Sequence, residues 1–190
     1  MRVVLIPGMG CTPTVTCNWY AWFAEEMGKR PYVDECILRD FPDPDQCRES
    51  VWVPFVRDKI GLDEATVIVG HSSGAACAMR LLESGNPKLL GAILVAAAYT
   101  DLGDAHEARS EYFNRPWDWE TMKDGAQNIV LFHGKDDHLI PVGEARYIAS
   151  KMREAHHFSF FEMDDKSHFF SPWQEILDVF DDKFGGFSAK

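Results

Sequence analysis

Thr66-Val67-Ile68-Val69-Gly70-His71-Ser72-Ser73-Gly74-Ala75-Ala76-Cys77-Ala78-Met79-Arg80-Leu81-Leu82 is the stretch that decides the fold. It opens on a β-branched apolar run, passes through G-x-S-x-G, and continues as small residues at helical spacing. Strand, sharp turn and helix in that order make a nucleophile elbow of a common pentapeptide. Gly70 and Gly74 are needed because side chains at those positions would collide with the neighbouring strand and helix. The turn lifts the Ser72 hydroxyl above the sheet edge. It also aims a helix N-terminus at any negative charge that develops there.

An elbow serine needs a base and an acid, and both follow it in the order Ser, Asp, His. Asn128-Ile129-Val130-Leu131-Phe132 reads as a strand that ends at His133-Gly134. A tight loop then carries Asp136 and Asp137, and Pro141 helps start the next helix. The two carboxylates compete for the acid role. Asp137 is favoured, three residues after Gly134 and four before Pro141. His168 lies on a loop after the last strand, just ahead of Ser171-Pro172-Trp173, where it can reach both Ser72 and Asp137. The other histidines fit less well. His71 is inside the elbow and His133 at a strand end. His156 and His157 precede the last strand, and His106 lies in a charged insertion.

The chain opens on Arg2-Val3-Val4-Leu5-Ile6-Pro7-Gly8-Met9-Gly10-Cys11, a buried-type strand and a glycine-containing loop. Two backbone amides are expected to form an oxyanion hole: Ser73, directly after the nucleophile, and Met9 in this first loop. The alternative, a dinucleotide-binding loop, lacks the third glycine of G-x-G-x-x-G and is crowded by Pro7 and Pro13. No cofactor or metal is called for by these residues.

Apolar strands alternate with helical stretches along all 190 residues. Strands are expected at 3–6, 35–38, 66–69, 91–96, 128–132 and 157–163. Helices are expected at 18–28, 48–60 with a proline kink, 73–84, 142–152 and 172–184. The pattern implies one α/β domain over residues 1–190: a mostly parallel six-stranded sheet with helices on both faces. Residues 99–125 interrupt it as a short cap rich in aromatics. Tyr99, Tyr112, Phe113 and Trp117 are candidates for lining a substrate pocket, with packing of the cap as the equal alternative. A second aromatic group, Trp19, Tyr20, Trp22 and Phe23, has helical spacing and reads mostly as core. Phe184 onward reads as a loose tail, with 185–190 outside the fold.

Composition sets limits on partners. The formal net charge is −11 and there is no basic run, which argues against nucleic acid and anionic membrane. A core strand begins almost at once, which leaves no signal peptide in this stretch. Cys11, Cys17, Cys36, Cys47 and Cys77 are odd in number and scattered, as expected of reduced thiols in the cytoplasm.

Several stretches together are more specific than any hydrolase motif. They are Pro7-Gly8, Trp19-Tyr20-Ala21-Trp22, Pro42-Asp43-Pro44, Arg48-Glu49-Ser50-Val51-Trp52-Val53-Pro54-Phe55 and Gly70-His71-Ser72-Ser73-Gly74-Ala75. Further along are Tyr99-Thr100-Asp101-Leu102-Gly103-Asp104, Arg115-Pro116-Trp117-Asp118-Trp119, Asp136-Asp137 and Ser167-His168-Phe169. In these the chain resembles the small serine hydrolases of the retinoblastoma-binding protein 9 type, over nearly its whole length. The resemblance implies a compact α/β-hydrolase fold with Ser72 as nucleophile, Asp137 as acid and His168 as base. It also marks departures. The L-x-C-x-E segment that binds the retinoblastoma pocket is here Ile60-Gly61-Leu62-Asp63-Glu64, without its cysteine, so pocket binding is not expected. Met9 and Cys11 stand where a more polar, glycine-rich run is expected. The leading expectation is hydrolysis of small esters or amides, including aminopeptidase-like action on aromatic or apolar aminoacyl groups. The alternative is a protein-interaction module on a hydrolase fold with little catalysis.

Overall fold

Six strands, each ending in a loop at the same sheet edge, organise the chain. A computed structural model describes residues 1–85, 87–155 and 157–186. His156 and the 187–190 part of the expected tail lie outside the described residues. The elements are β1 (Arg2–Ile6), α1 (Tyr20–Gly28), β2 (Glu35–Ile37), α2 (Glu49–Pro54), β3 (Thr66–His71), α3 (Ser73–Leu82), β4 (Leu89–Val95), α4 (Ala105–Arg109), α5 (Trp119–Asp124), β5 (Ala126–Gly134), α6 (Val142–Met152), β6 (Phe158–Met163) and α7 (Gln174–Phe184). The sheet order is β2-β1-β3-β4-β5-β6, and every adjacent pair is parallel. The chain is a compact α/β-hydrolase fold.

Alternate side chains of the central strands serve two cores, the period-two consequence of a sheet covered on both faces. Val4, Ile6, Ile68, Ala92, Leu94, Ile129 and Leu131 pack with Trp52, α3 and α6. Val3, Leu5, Val67, Val69, Ile93, Val95, Val130 and Phe132 pack with Trp19, Phe23 and the apolar stripe of α7. Phe184, where the last helix is expected to end, closes α7. It is buried, and any side chain at Gly91 would collide with its ring.

Two local expectations are refined. The helix expected through residue 60 is α-helical only to Pro54 and continues as a π-helix over Phe55–Gly61. Proline has no N–H to give the preceding turn, and the wider turn absorbs the missing bond. The cap contains two helices that periodicity does not reveal. Asp104 caps α4 by accepting from the His106 and Glu107 amides, and Asp118 caps α5 by accepting from Thr121.

Candidate active site

The sheet order reverses between β1 and β3, so the loops after these two strands leave the sheet side by side, where such folds bind ligands. Ile6 pairs with Gly70, which sets Pro7-Gly8-Met9 against His71-Ser72-Ser73. Ser72 has φ 56° and ψ −122°, a conformation that costs about 1–3 kcal/mol and that its surroundings must hold. Its amide donates to the Val95 carbonyl at 2.9 Å. A side chain at Gly74 would strike the carbonyls of Ile6 and Pro7, and one at Gly70 the carbonyl of Gly74. Both glycines of the elbow are therefore fixed by backbone contacts.

Of the two carboxylates on the acid loop, Asp137 is the one bonded to the imidazole: His168 Nδ1–H donates to its Oδ2 at 2.8 Å. Its other oxygen accepts from the amides of Leu139 and Ile140, both at 2.9 Å. Burial alone would raise this carboxyl. The His168 bond and the two amides outweigh it and hold Asp137 below the ordinary carboxylate range. Asp136 instead accepts from the Ser167 amide at 2.9 Å, bracing the loop that carries His168. Gly134 lets that loop close, since any side chain there would meet the Ser167 carbonyl. With Nδ1 donating, neutral His168 offers Nε2 as a lone pair. No hydrogen bond of the described residues joins Ser72 Oγ to that nitrogen; such contacts often tighten only with substrate.

Two histidines set aside in the sequence brace the site. His71 Nε2–H donates to the His168 carbonyl at 2.9 Å, and its Nδ1 accepts from the Tyr20 hydroxyl at 2.7 Å. The Tyr20 oxygen in turn accepts from the Gly8 amide at 2.9 Å. This chain of bonds links the first loop to the base loop through the elbow. His133 Nε2–H donates to the Ile140 carbonyl at 2.9 Å and steadies the acid loop. The Met9 and Ser73 amides, by contrast, have no acceptor among the hydrogen bonds of the described residues.

Burial, with the charge of His168 adding to it, lowers the His71 pKa to about 3, and burial lowers that of His133. Unfolded, each would take a proton near pH 6.5. Between pH 6.5 and 3 the unfolded chain therefore binds the His71 proton and the folded chain does not. Stability is expected to fall with pH in that window, by about 1.4 kcal/mol per unit from His71, with His133 adding in the same direction. Asp137 acts lower, where its contribution is lost as pH falls through its depressed folded pKa. Urea midpoints from pH 7 to 5 check this; equal stability across that range would contradict it.

The expected pocket residues divide. Tyr99, Phe113 and Trp117 line a cavity of about 410 Å³ together with Asp101 and Arg115. Tyr112 is fully buried in the core beneath the cap and is not among that cavity's lining residues. Ser72, Asp137 and His168 are not among them either. The cap is pinned from below by Arg80 of α3. Its guanidinium donates to the carbonyls of Tyr112, Arg115 and Pro116, and lies 3.7 Å from the Trp117 ring centroid. Glu144 holds the cap's first turn by accepting from both the Tyr99 and Thr100 amides.

Sheet, elbow and braced loops define the class as an α/β-hydrolase. The serine hydrolase family model matches residues 3–181. Serine hydrolase RBBP9 of Rattus norvegicus is 37% identical over 168 residues, covering 88% of this chain and 87% of its own. The chain belongs to the serine hydrolase family, of the retinoblastoma-binding protein 9 type. The crystal structure of the ydeN gene product of B. subtilis aligns with a TM-score of 0.82 over 97% of this chain and 98% of that one, at 23% identity. A monoacylglycerol lipase of Paleococcus ferrophilus aligns with a TM-score of 0.66 over 96% and 94% of the two chains, at 13% identity. Both of these likenesses are of fold alone.

Proposed function

We propose that the chain hydrolyses small carboxylic esters or amides through an acyl-enzyme formed on Ser72. The observation that carries this is the His168–Asp137 bond at 2.8 Å on a loop that His71 ties to the strained Ser72 elbow. His168 takes the Ser72 proton as Oγ attacks the carbonyl, then delivers it to the leaving group. Asp137 keeps the imidazole in the productive tautomer. The Met9 and Ser73 amides receive the oxyanion. Water, activated by His168, then releases the acid.

Within this class, aromatic or apolar aminoacyl substrates have support in the cap. The Glu107 carboxyl lies half-buried on α4, where burial and Asp104 raise its pKa. No ion pair to a cationic side chain engages it among the described residues, which leaves it for a substrate ammonium. The five unpaired cysteines suit a reducing compartment, the cytoplasm. Among the described residues no helix is long and apolar enough to cross a membrane. Retinoblastoma-pocket binding is not part of this proposal, since residues 60–64 lack the cysteine anchor.

A panel of paired aminoacyl and N-acetylated esters tests the substrate class. Free aminoacyl esters are expected to show the higher kcat/KM, with the advantage reduced in Glu107→Gln. Equal rates on both sets would remove the aminoacyl reading. No turnover of any ester or amide by a folded chain would favour the interaction module instead.

A further inference from the structure

Four large apolar side chains stand well exposed among the described residues, and two of them come two positions after a member of the site. Leu139 follows Asp137 and is 51% exposed; Phe170 follows His168 and is 46% exposed. Phe169, the chain neighbour of Phe170, turns inward with φ 56° and packs on Trp173 with ring centroids 4.7 Å apart. The outward ring of Phe170 lies 5.4 Å from the His168 ring, tilted by 52°. Its other aromatic neighbour is His138, at 6.1 Å, whose Nδ1 is bonded to the Ser167 hydroxyl at 3.0 Å. The loop beneath is held by the Asp136 bond to the Ser167 amide. Phe170 is thus an exposed phenyl group on a braced support, next to the imidazole.

The chemistry says what would cover it. When the tetrahedral intermediate collapses, the bond from the acyl carbon to the leaving oxygen or nitrogen breaks. That atom takes the proton His168 received from Ser72. To do so it must come within about 3 Å of Nε2. Whatever is attached to it then extends from a point beside the Phe170 ring. An apolar or aromatic substituent there is removed from water together with the exposed phenyl face. The cap cavity lined by Tyr99, Phe113 and Trp117 does not have Phe170 among its lining residues.

We propose that Phe170 is the wall of a leaving-group subsite for apolar, preferably aromatic, alcohol or amine portions of the substrate. The proposal rests on the hydrolase reading above and adds the side of the scissile bond on which selection acts.

Benzyl and methyl esters of one acyl group test it, because both pass through the same acyl-enzyme and differ only in the acylation half of the reaction, where the alcohol portion is bound and expelled. Wild type is expected to favour the benzyl ester. Phe170→Ala should lower the benzyl-to-methyl ratio of kcat/KM about tenfold, and Phe170→Tyr should restore most of it. A ratio unchanged in Phe170→Ala would overturn the proposal. So would an equal loss on both esters, which would place Phe170 in the service of His168 alone. An unchanged ratio with wild-type chains that associate, and Phe170→Ala chains that do not, would assign the face to a second copy instead. Ser72→Ala separates the two levels. If it still cleaves both esters, the hydrolase reading fails; if it is inactive while the ratio is unchanged in Phe170→Ala, the subsite alone fails.

Discussion

Alanine at position 72 is expected to remove ester hydrolysis by about six orders of magnitude in kcat, because the proposed acyl-enzyme forms on the hydroxyl that alanine lacks. The comparison that gives this meaning is Ser73→Ala. Ser73 is proposed to act through its backbone amide, which alanine keeps, and its hydroxyl has no hydrogen-bond partner among the described residues. Its loss should cost about tenfold or less. Both proteins should fold, since Ser72 is only half-buried and alanine tolerates the helix start at 73. Steady-state rates on a short acyl ester measure the difference. A reversal, with Ser73→Ala inactive and Ser72→Ala active, would contradict the assignment of the nucleophile.

Asn in place of Asp137 is expected to lower kcat by about three to four orders of magnitude. The Asp137 carboxylate accepts from His168 Nδ1 and from two amides at once. An asparagine can keep the amide bonds with its oxygen, but it then presents N–H₂ to Nδ1. The imidazole must move its proton to Nε2 to accept it, and so loses its lone pair toward Ser72. Asp136→Asn keeps an oxygen for the Ser167 amide and should cost about tenfold or less. Rates on one ester for the two variants decide between the carboxylates. A larger loss in Asp136→Asn would mean that the acid loop works differently from its geometry.

The sheet and the elbow were legible because their signals are local and periodic. An apolar run bounded by glycine reads as a strand wherever it falls, and the strand-turn-helix context singles out Ser72. The choice between Asp136 and Asp137 rested on spacing. In the structure the two differ by contacts from elsewhere: the Leu139 and Ile140 amides and His168 bond one carboxylate, and the Ser167 amide bonds the other. The cap resisted reading for a related reason. Its helices are only five and six residues long, and their caps resemble ordinary turns. The segment between them is pinned by Arg80, which the sequence shows only as one residue of a small-residue helix. Tyr112 could not be told from Phe113 by composition, yet one is core and the other lines a cavity. His71 and His133 fit the catalytic role poorly by position, and their bracing bonds reach 97 and 7 residues along the chain. Phe170 shows no sequence signal that separates it from the buried Phe169.

The central claim is that Ser72 is a nucleophile activated by His168. It is tested most directly by labelling the folded chain with a fluorophosphonate and mapping the adduct by peptide mass spectrometry. One adduct is expected, on the peptide that carries Ser72 and at its hydroxyl, absent from Ser72→Ala and formed orders of magnitude more slowly in His168→Ala. An adduct on Ser73 or Ser167, or labelling that continues at the wild-type rate in Ser72→Ala, would contradict it.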